Sequence, residues 1–238
     1  MATLPGYRPV MLQTPAQLVG EGDISPFPLP QRAKRYLAHG RTQRGLAGAM
    51  SQVVYAAASS MAACDQSTAE HQHRVAIIAC AIAREMSWNE DRIKAVRVAS
   101  VLHDVGKFIV SQEILTKPGR LTAEEFARVK LHPEAGYLIL KDILLPWPIA
   151  EAVWQHHERM DGSGYPRGLK GDEILPVARI VAIADVLDAM TSARSYRPAS
   201  KLEVVLLELE CQAGTLLDAE MVKGCVSLFR EKRCQLPC

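Results

Sequence analysis

The chain has 238 residues, of which 48% are hydrophobic and only 5% aromatic. A chain of this length and composition can bury one substantial core, which excludes an intrinsically disordered protein. Ala, Leu, Val and Ile are abundant and aromatic residues are few, which favours packed helices over a β-sandwich. The formal net charge is only +2, so no overall positive field would hold the protein on DNA or RNA. We therefore expect an all-α protein without a nucleic-acid partner.

The N-terminus and the cysteines favour a cytoplasmic location. No basic segment is followed by an apolar run and a cleavage site, so a secretory signal is not predicted. The segment 45–64 comes nearest to a membrane span, but its serines and small residues make it a poor one. The six cysteines are scattered without a CxxC pair, which is typical of free thiols in a reducing compartment.

The chain divides into a short extension and one helical domain. Six of the fourteen prolines fall within residues 1–30, and a run of basic residues follows as far as Arg44. Proline lacks the amide hydrogen that a helix needs, so residues 1–45 are predicted to form an extension, to which the sequence assigns no function. From residue 46 onward the apolar residues recur at helical spacing, which predicts one domain over residues 46–238.

Polar residues indicate where several helices begin. Asn89, followed by two acids, fits an N-cap with negative charge at the positive end of the helix dipole. Thr122 and Ser200 each have a glutamate three residues later, which fits the capping-box pattern. The glycines and the proline within residues 154–170 predict that most of this segment is a loop.

Histidines and aspartates in apolar surroundings are the candidate functional residues. His71 shares a predicted helix stripe with Val75 and Ile78, whereas His73 lies about 200° around the same helix. A lone buried histidine is more often a core residue than a ligand, so the assignment of His71 depends on what else converges on it. Asp185 lies inside a nearly uninterrupted apolar helix, where a carboxylate costs free energy unless it binds something.

His103 and Asp104 lie side by side at the end of a buried helix. An aspartate in such a place costs several kcal/mol unless it is paired or bound to a metal. Metal binding is therefore the better interpretation, and Lys107, one turn later, could offer a positive charge to a phosphate. Gly106 would let the chain turn sharply at this point.

Further imidazoles occur at His132, which precedes a proline, and at the pair His156 and His157. Together with the residues above, they give five imidazoles and two carboxylates. Nitrogen and oxygen ligands without thiolate suit Fe, Mn, Co, Ni or Zn and argue against a closed structural zinc site.

These segments together resemble a known family. His103-Asp104 followed by VGK resembles the signature of HD-domain phosphohydrolases, and HHERMDGSGYP, at 156–166, is similar to the defining motif of the HD-GYP subgroup. The similarity extends from about residue 65 to residue 229 and includes DQSTAEHQHRV, KPGRLTAEE, ARIVAIADVLDAMTSARSYR and AGTLLD. The resemblance implies an HD-domain helical bundle with a GYP loop, and a bacterial phosphodiesterase that hydrolyses a cyclic dinucleotide, foremost cyclic di-GMP.

The resemblance also implies two divalent transition-metal ions, with Fe or Mn favoured and Zn, Ni or Co as alternatives. Each ion would be held by four residues, and one aspartate would belong to both sets. The two sets are His71, His103, Asp104 and Asp185, and Asp104, His132, His156 and His157. Two such cations lower the pKa of a shared water, so that hydroxide becomes available near neutral pH.

Substrate contacts are implied in the same way. Lys107, Arg194 and Arg197 would contact substrate phosphates, with a surface pair near a helix end as the alternative for the two arginines.

The GYP loop, at Gly164, Tyr165 and Pro166, combines backbone freedom with a rigid aromatic surface. One interpretation is a loop that simply covers the metal site. The resemblance adds a contact with diguanylate cyclase (GGDEF) domains.

Two other functions remain open on the sequence. One is an HD phosphohydrolase for another nucleotide, and the other is a weakly active cyclic di-GMP receptor or adaptor. Some HD-GYP members have a glutamate four residues before the first ligand histidine, which helps to hold a third ion. Here that position is Ser67, so a dinuclear site is expected, with the linear dinucleotide pGpG as the main product and slower conversion to GMP.

Overall fold

The computed structural model describes residues 66–193, 199–231 and 234–236, with side chains from residue 69 onward. The predicted extension, residues 1–45, lies outside the described residues, so its separation from the domain stays a prediction. Arg194 and Arg197 also lie outside them, as does the side chain of Ser67.

The described part of the chain folds into nine α-helices. They are α1 (Gln66–Glu85), α2 (Glu90–Leu102), α3 (Gln112–Leu115), α4 (Ala123–Val129), α5 (His132–Leu140), α6 (Ile149–Gln155), α7 (Pro176–Thr191), α8 (Leu202–Gln212) and α9 (Ala219–Val226). Short 3-10 helices span Val105–Ile109 and Gly171–Glu173, and a π-helical turn spans Ser227–Glu231. Only an isolated bridge between Ala213 and Leu217 has β geometry among these residues. The all-α prediction is confirmed.

Two of the predicted helix starts are correct. The Asn89 side chain accepts a hydrogen bond from the backbone N–H of Arg92, 2.9 Å away, at the start of α2. At the start of α4, Thr122 and Glu125 form both hydrogen bonds of a capping box. The predicted loop is also present, since α6 ends at Gln155 and no helix follows until Gly171.

The capping box predicted at Ser200 is wrong. Helix α8 begins at Leu202, and its N-cap is Lys201, whose side chain makes no capping hydrogen bond. The carboxylate of Glu203 is engaged elsewhere, because Arg230 donates to it from Nε at 3.0 Å. A long-range ion pair has therefore replaced the local cap.

Helices α1, α2 and α7 form the centre of the bundle, and each contacts the other two. Apolar side chains of all three are fully buried, among them Ile82, Leu102 and Ile180. Helix α6 packs against α2 and α5, and α8 and α9 pack against α7. The predicted ligand residues lie on or beside α1, α2, α5, α6 and α7, so the packing of these helices determines their positions. No helix in the described residues is long and apolar enough to cross a membrane.

Gly106 allows the turn after α2 to approach α5 closely. A Cβ at this position would collide with the backbone carbonyl of His132 and the backbone N–H of Gly136. Because both neighbours are backbone atoms of a helix, neither can move aside like a flexible side chain. Gly106 thus determines how closely Asp104 and His132 can approach each other.

We predict that Gly106→Ala lowers the free energy of unfolding by at least about 2 kcal/mol, because overpacking here displaces backbone. Urea denaturation would measure the change. Gly224→Ala, inside α9, is the matched control, because the atom nearest to its Cβ would belong to the flexible side chain of Met86. This variant should change stability by less than about 1 kcal/mol. Equal effects of the two variants would contradict this role of Gly106.

Candidate metal centre

Three histidines are held at helix ends by the same device. The Nδ1 atom of His103 lies 2.7 Å from the carbonyl oxygen of Ser100, three residues earlier. His132 and His156 repeat this geometry with the carbonyl oxygens of Val129 and Val153, at 2.7 and 2.6 Å. The last carbonyls of a helix have no partner within the helix, so an imidazole that follows the helix can satisfy one of them.

This arrangement determines which nitrogen of each ring carries a hydrogen. A carbonyl oxygen only accepts, so Nδ1 must be the donor in all three rings, and in the neutral ring Nε2 presents a lone pair. The Nε2 atoms of His132 and His156 face each other at 3.2 Å. Nε2 of His103 is buried and makes no well-aligned hydrogen bond, although a carboxylate oxygen of Asp104 lies 3.3 Å away. Lone pairs that converge in a buried space indicate a cation site.

Asp104 lies among these rings and is 1% exposed. Its Oδ2 is 3.3 Å from Nε2 of His103 and 3.9 Å from Nε2 of His71, while its Oδ1 is 3.3 Å from Nε2 of His132. Lys107 donates to the same carboxylate from Nζ at 2.6 Å. The two oxygens of Asp104 therefore point toward different groups of imidazoles, as a shared ligand would.

His71 connects α1 to α7. Its Nε2 atom is 3.1 Å from Oδ1 of Asp185, and its Nδ1 atom is 2.7 Å from Oδ2 of Asp188. His73 is exposed on another face of α1, away from the cluster. Sequence reasoning missed Asp188, although its position three residues after Asp185 on the same helix face was a usable signal.

The predicted ligands thus come together in one buried cluster. Three groups have potential ligand atoms within 4.8 Å of one another: His132, His156 and His157; His71, His103 and Asp185; and His103, Asp104 and His156. The first two groups correspond to opposite ends of the cluster, and Asp104 lies between them. The donors are nitrogen and oxygen atoms without thiolate, and this set fits divalent transition metals.

Burial keeps several of these imidazoles neutral. It lowers the pKa of His132 to about 4 and that of His157 to about 3, and the pKa of His156 falls well below its usual value for the same reason. Burial would also lower the pKa of His71, but hydrogen bonds to Asp185 and Asp188 outweigh it and raise the value to about 9. Neutral imidazoles are the form that binds metals.

The GYP loop closes over one end of the cluster. The ring of Tyr165 stacks on His157, with centroids 4.8 Å apart and planes inclined by 27°. A Cβ at Gly164 would collide with the backbone of Glu158 and Arg159, so only glycine fits here. Tyr165 is half-buried by this packing, while Pro166 remains exposed.

Glu158 and Arg159 are two further residues whose roles the sequence did not reveal. Glu158 is 3% exposed, and its two carboxylate oxygens accept from the backbone N–H groups of Arg167 and Leu169 at 2.7 and 3.0 Å. It therefore fixes the loop that carries Tyr165. The guanidinium of Arg159 donates to the carbonyl oxygen of Glu158 at 2.8 Å, and burial lowers its pKa.

A family model described as HD domain matches residues 53–221. The chain belongs to the HD-domain family. Curated relatives are named as cyclic dinucleotide phosphodiesterases. The cyclic di-GMP phosphodiesterase of Thermotoga maritima is 42% identical over 169 residues, which cover 70% of this chain and 46% of that protein. The 3'3'-cGAMP-specific phosphodiesterase 3 of Vibrio cholerae is 38% identical over 174 residues, which cover 71% of this chain and 38% of that protein.

A solved structure confirms the HD fold of the chain. The HDG"Y"P protein Bd1817 from Bdellovibrio bacteriovorus superposes with a TM-score of 0.58 at 16% sequence identity, over 84% of this chain and 68% of that one. The identification as an HD-GYP protein, and the HD-domain bundle expected from the sequence, are thus confirmed. The chain spans less than half the length of the two curated relatives named above.

The low pKa values of His132, His156 and His157 predict how pH affects the chelator-treated protein. Between pH 6.5 and pH 5 the unfolded chain binds protons at these three residues that the folded chain does not, so stability falls as pH falls. His71 has the opposite shift, but its contribution is almost fully present in this window and is lost as pH rises from about 6.5 toward 9. The expected decrease in the free energy of unfolding is roughly 3 to 5 kcal/mol.

Urea denaturation at successive pH values would measure this decrease. The variant His157→Phe keeps an aromatic ring under Tyr165 and removes one of the three titrating groups, so its decrease should be about two thirds as large. Stability that does not change across the window, or the same decrease in this variant, would contradict the assignment.

Proposed function

We propose that the chain is a metal-dependent phosphodiesterase that hydrolyses a cyclic dinucleotide, most directly cyclic di-GMP, in bacterial second-messenger signalling. The observation that supports this function best is the convergence of buried imidazole and carboxylate atoms around Asp104, where Nε2 of His103 makes no well-aligned hydrogen bond. A buried polar atom that is poorly paired costs free energy unless something binds it. The names of the relatives supply the substrate class.

The residues that would hold the ions divide around Asp104. We assign His71, His103 and Asp185 to one ion and His132, His156 and His157 to the second, with Asp104 shared. Fe or Mn is the favoured metal, and Zn, Ni and Co also suit these ligands. When bound, the two ions supply a hydroxide nucleophile near neutral pH by lowering the pKa of water.

The chain's own groups position the substrate. Lys107 is one-quarter exposed and lies at the edge of the cluster, so its ammonium can contact a phosphate oxygen while remaining near Asp104. The ring of Tyr165 offers a flat apolar surface next to His157, on which a base can stack. We assign Arg194 and Arg197 to the substrate phosphates on the family resemblance.

A second candidate substrate is 3'3'-cGAMP, because two relatives named as 3'3'-cGAMP-specific phosphodiesterases are each 38% identical to this chain, close to the 42% of the cyclic di-GMP phosphodiesterase. The metal ligands would be the same for both substrates. A receptor function without turnover is less well supported, because the described residues retain all seven ligand side chains implied by the family.

The proposed contact of the GYP loop with GGDEF domains would use the exposed face of Pro166. The described cysteines are free thiols, in keeping with the cytoplasmic location that we propose.

We predict that protein loaded with Fe(II) or Mn(II) under anaerobic conditions converts cyclic di-GMP to its linear dinucleotide. Chromatography of cyclic di-GMP, 3'3'-cGAMP and the linear products would follow the reaction. Asp104→Ala should lose most of its bound metal. Its activity should fall by more than about 10- to 100-fold, which is the usual effect of removing a residue that only hydrogen-bonds to a metal ligand. Asp172→Ala, which removes an exposed carboxylate far along the chain, is the control and should behave as wild type. Binding of either dinucleotide without turnover would favour the receptor function.

Ser67 predicts a dinuclear centre. It lies on α1, four residues before His71, and a neutral hydroxyl compensates a third cation poorly. Mass-spectrometric metal analysis of fully loaded protein should therefore give two ions per chain. Ser67→Glu restores a carboxylate at this position and should raise the content toward three. Three ions per chain in the wild type would refute the argument from Ser67.

A further inference from the structure

His71 is oriented by a different kind of group from three of the other proposed ligand histidines. His103, His132 and His156 each place Nδ1 against a neutral backbone carbonyl. His71 instead places Nδ1 at 2.7 Å from a carboxylate oxygen of Asp188. Asp188 is 2% exposed, so this hydrogen bond is shielded from water.

Asp188 is itself held in a fixed orientation. Arg74 donates to both of its oxygens, from Nε to Oδ1 at 2.7 Å and from a terminal nitrogen to Oδ2 at 3.1 Å. The same guanidinium donates to the Ser192 hydroxyl at 3.2 Å. His71 and Arg74 are three residues apart on α1, as Asp185 and Asp188 are on α7. Each helix therefore presents two polar side chains on the face that it turns to the other helix.

This contact changes the imidazole in two ways. The carboxylate accepts the Nδ1 hydrogen, so in the neutral ring that binds a metal the lone pair is on Nε2, facing Asp185 and Asp104. A negatively charged acceptor also increases electron density on the ring more than a neutral carbonyl does, so Nε2 becomes a stronger donor to a cation. The first effect also applies to the three histidines held by carbonyls, whereas the second effect is weaker in them because their acceptors are neutral.

We infer that Asp188, clamped by Arg74, is a positioning residue that strengthens the metal position containing His71 and makes the two positions unequal. This inference rests on the proposed metal centre. The competing explanation is a purely structural ion pair between α1 and α7. The two explanations differ in what they predict for metal affinity when the fold is retained.

The experiment compares Asp188→Asn with wild type and with Asp218→Asn. The amide introduced by Asp188→Asn would keep an oxygen that can accept from His71 but would lose the negative charge. Asp218 pairs with Arg179 at 3.1 Å and caps α9, so it resembles Asp188 as an ion-pair partner but contacts no histidine. Mn(II) binding to each protein would be titrated in competition with a fluorescent chelator, and thermal unfolding of the chelator-treated proteins would be recorded in parallel.

Wild type is expected to bind two ions. Asp188→Asn should weaken one of them by about 10- to 100-fold and leave the other within about threefold. Asp218→Asn should lower the unfolding temperature without changing either affinity beyond about threefold. Unchanged affinities in Asp188→Asn, or an equal loss at both positions, would overturn the inference. Wild-type protein that binds no Mn(II) would overturn the proposed function and this inference with it.

A second measurement needs no variant at Asp188. In Zn(II)-loaded wild type, the Nδ1 proton of His71 should resonate further downfield than those of His103, His132 and His156, because its acceptor is a carboxylate. Long-range ¹H–¹⁵N spectra, assigned by single His→Gln variants, would test this. A His71 proton within the range of the other three would count against a role for Asp188 in orienting the ring.

Discussion

Burial of imidazoles and carboxylates within one apolar bundle is the constraint on which the rest of the structure depends. His103, Asp104, His132 and His156 are each no more than 1% exposed. Polar groups in such a place need partners, and an unpaired one costs roughly 1 to 3 kcal/mol. The ends of α2, α4 and α6 provide carbonyl partners for three Nδ1 atoms. The Nε2 atoms and the carboxylates then have only one another, which is a poor arrangement without a cation.

The same constraint explains local features that look unrelated. Helix α2 has to end at Leu102 so that His103 follows a free carbonyl, and Gly106 then lets the chain turn tightly against α5. After α6, the carboxylate of Glu158 accepts hydrogen bonds from two backbone N–H groups and so holds the following loop over His157. Phe126 and Lys130, on and just after α4, approach the outer side of Tyr165. The GYP loop is therefore attached both to the proposed metal ligand His157 and to the surrounding helices.

Sequence reasoning succeeded where one residue alone carried a large energetic cost. An aspartate at a buried helix end, beside a histidine, had few explanations other than ligation, and Asp104 indeed lies within the cluster. It failed where the outcome depended on a distant partner. The capping box at Ser200 is absent because α8 begins after Lys201 and the Ser200 N–H donates to the carbonyl of Met190 on α7, while Glu203 pairs with Arg230.

Asp188 shows a different limit of the sequence. It was passed over because Asp185 was treated as a solitary carboxylate in an apolar helix, although the two lie on one face. The pairing with His71 and Arg74 depends on how α1 packs against α7, which periodicity alone does not fix. Glu158 was missed for a related reason, since its partners are backbone groups of a loop whose path is not encoded in helical spacing.

The position of the bound ions is the most direct test of the proposed metal centre. Anomalous scattering from a crystal of Mn(II)-loaded protein would locate them without reference to activity. Two strong peaks are expected on either side of Asp104, one against His71, His103 and Asp185 and the other against His132, His156 and His157. A crystal with no peak in this cluster, or with its ions bound to other residues, would contradict the central claim that these buried side chains form a metal centre.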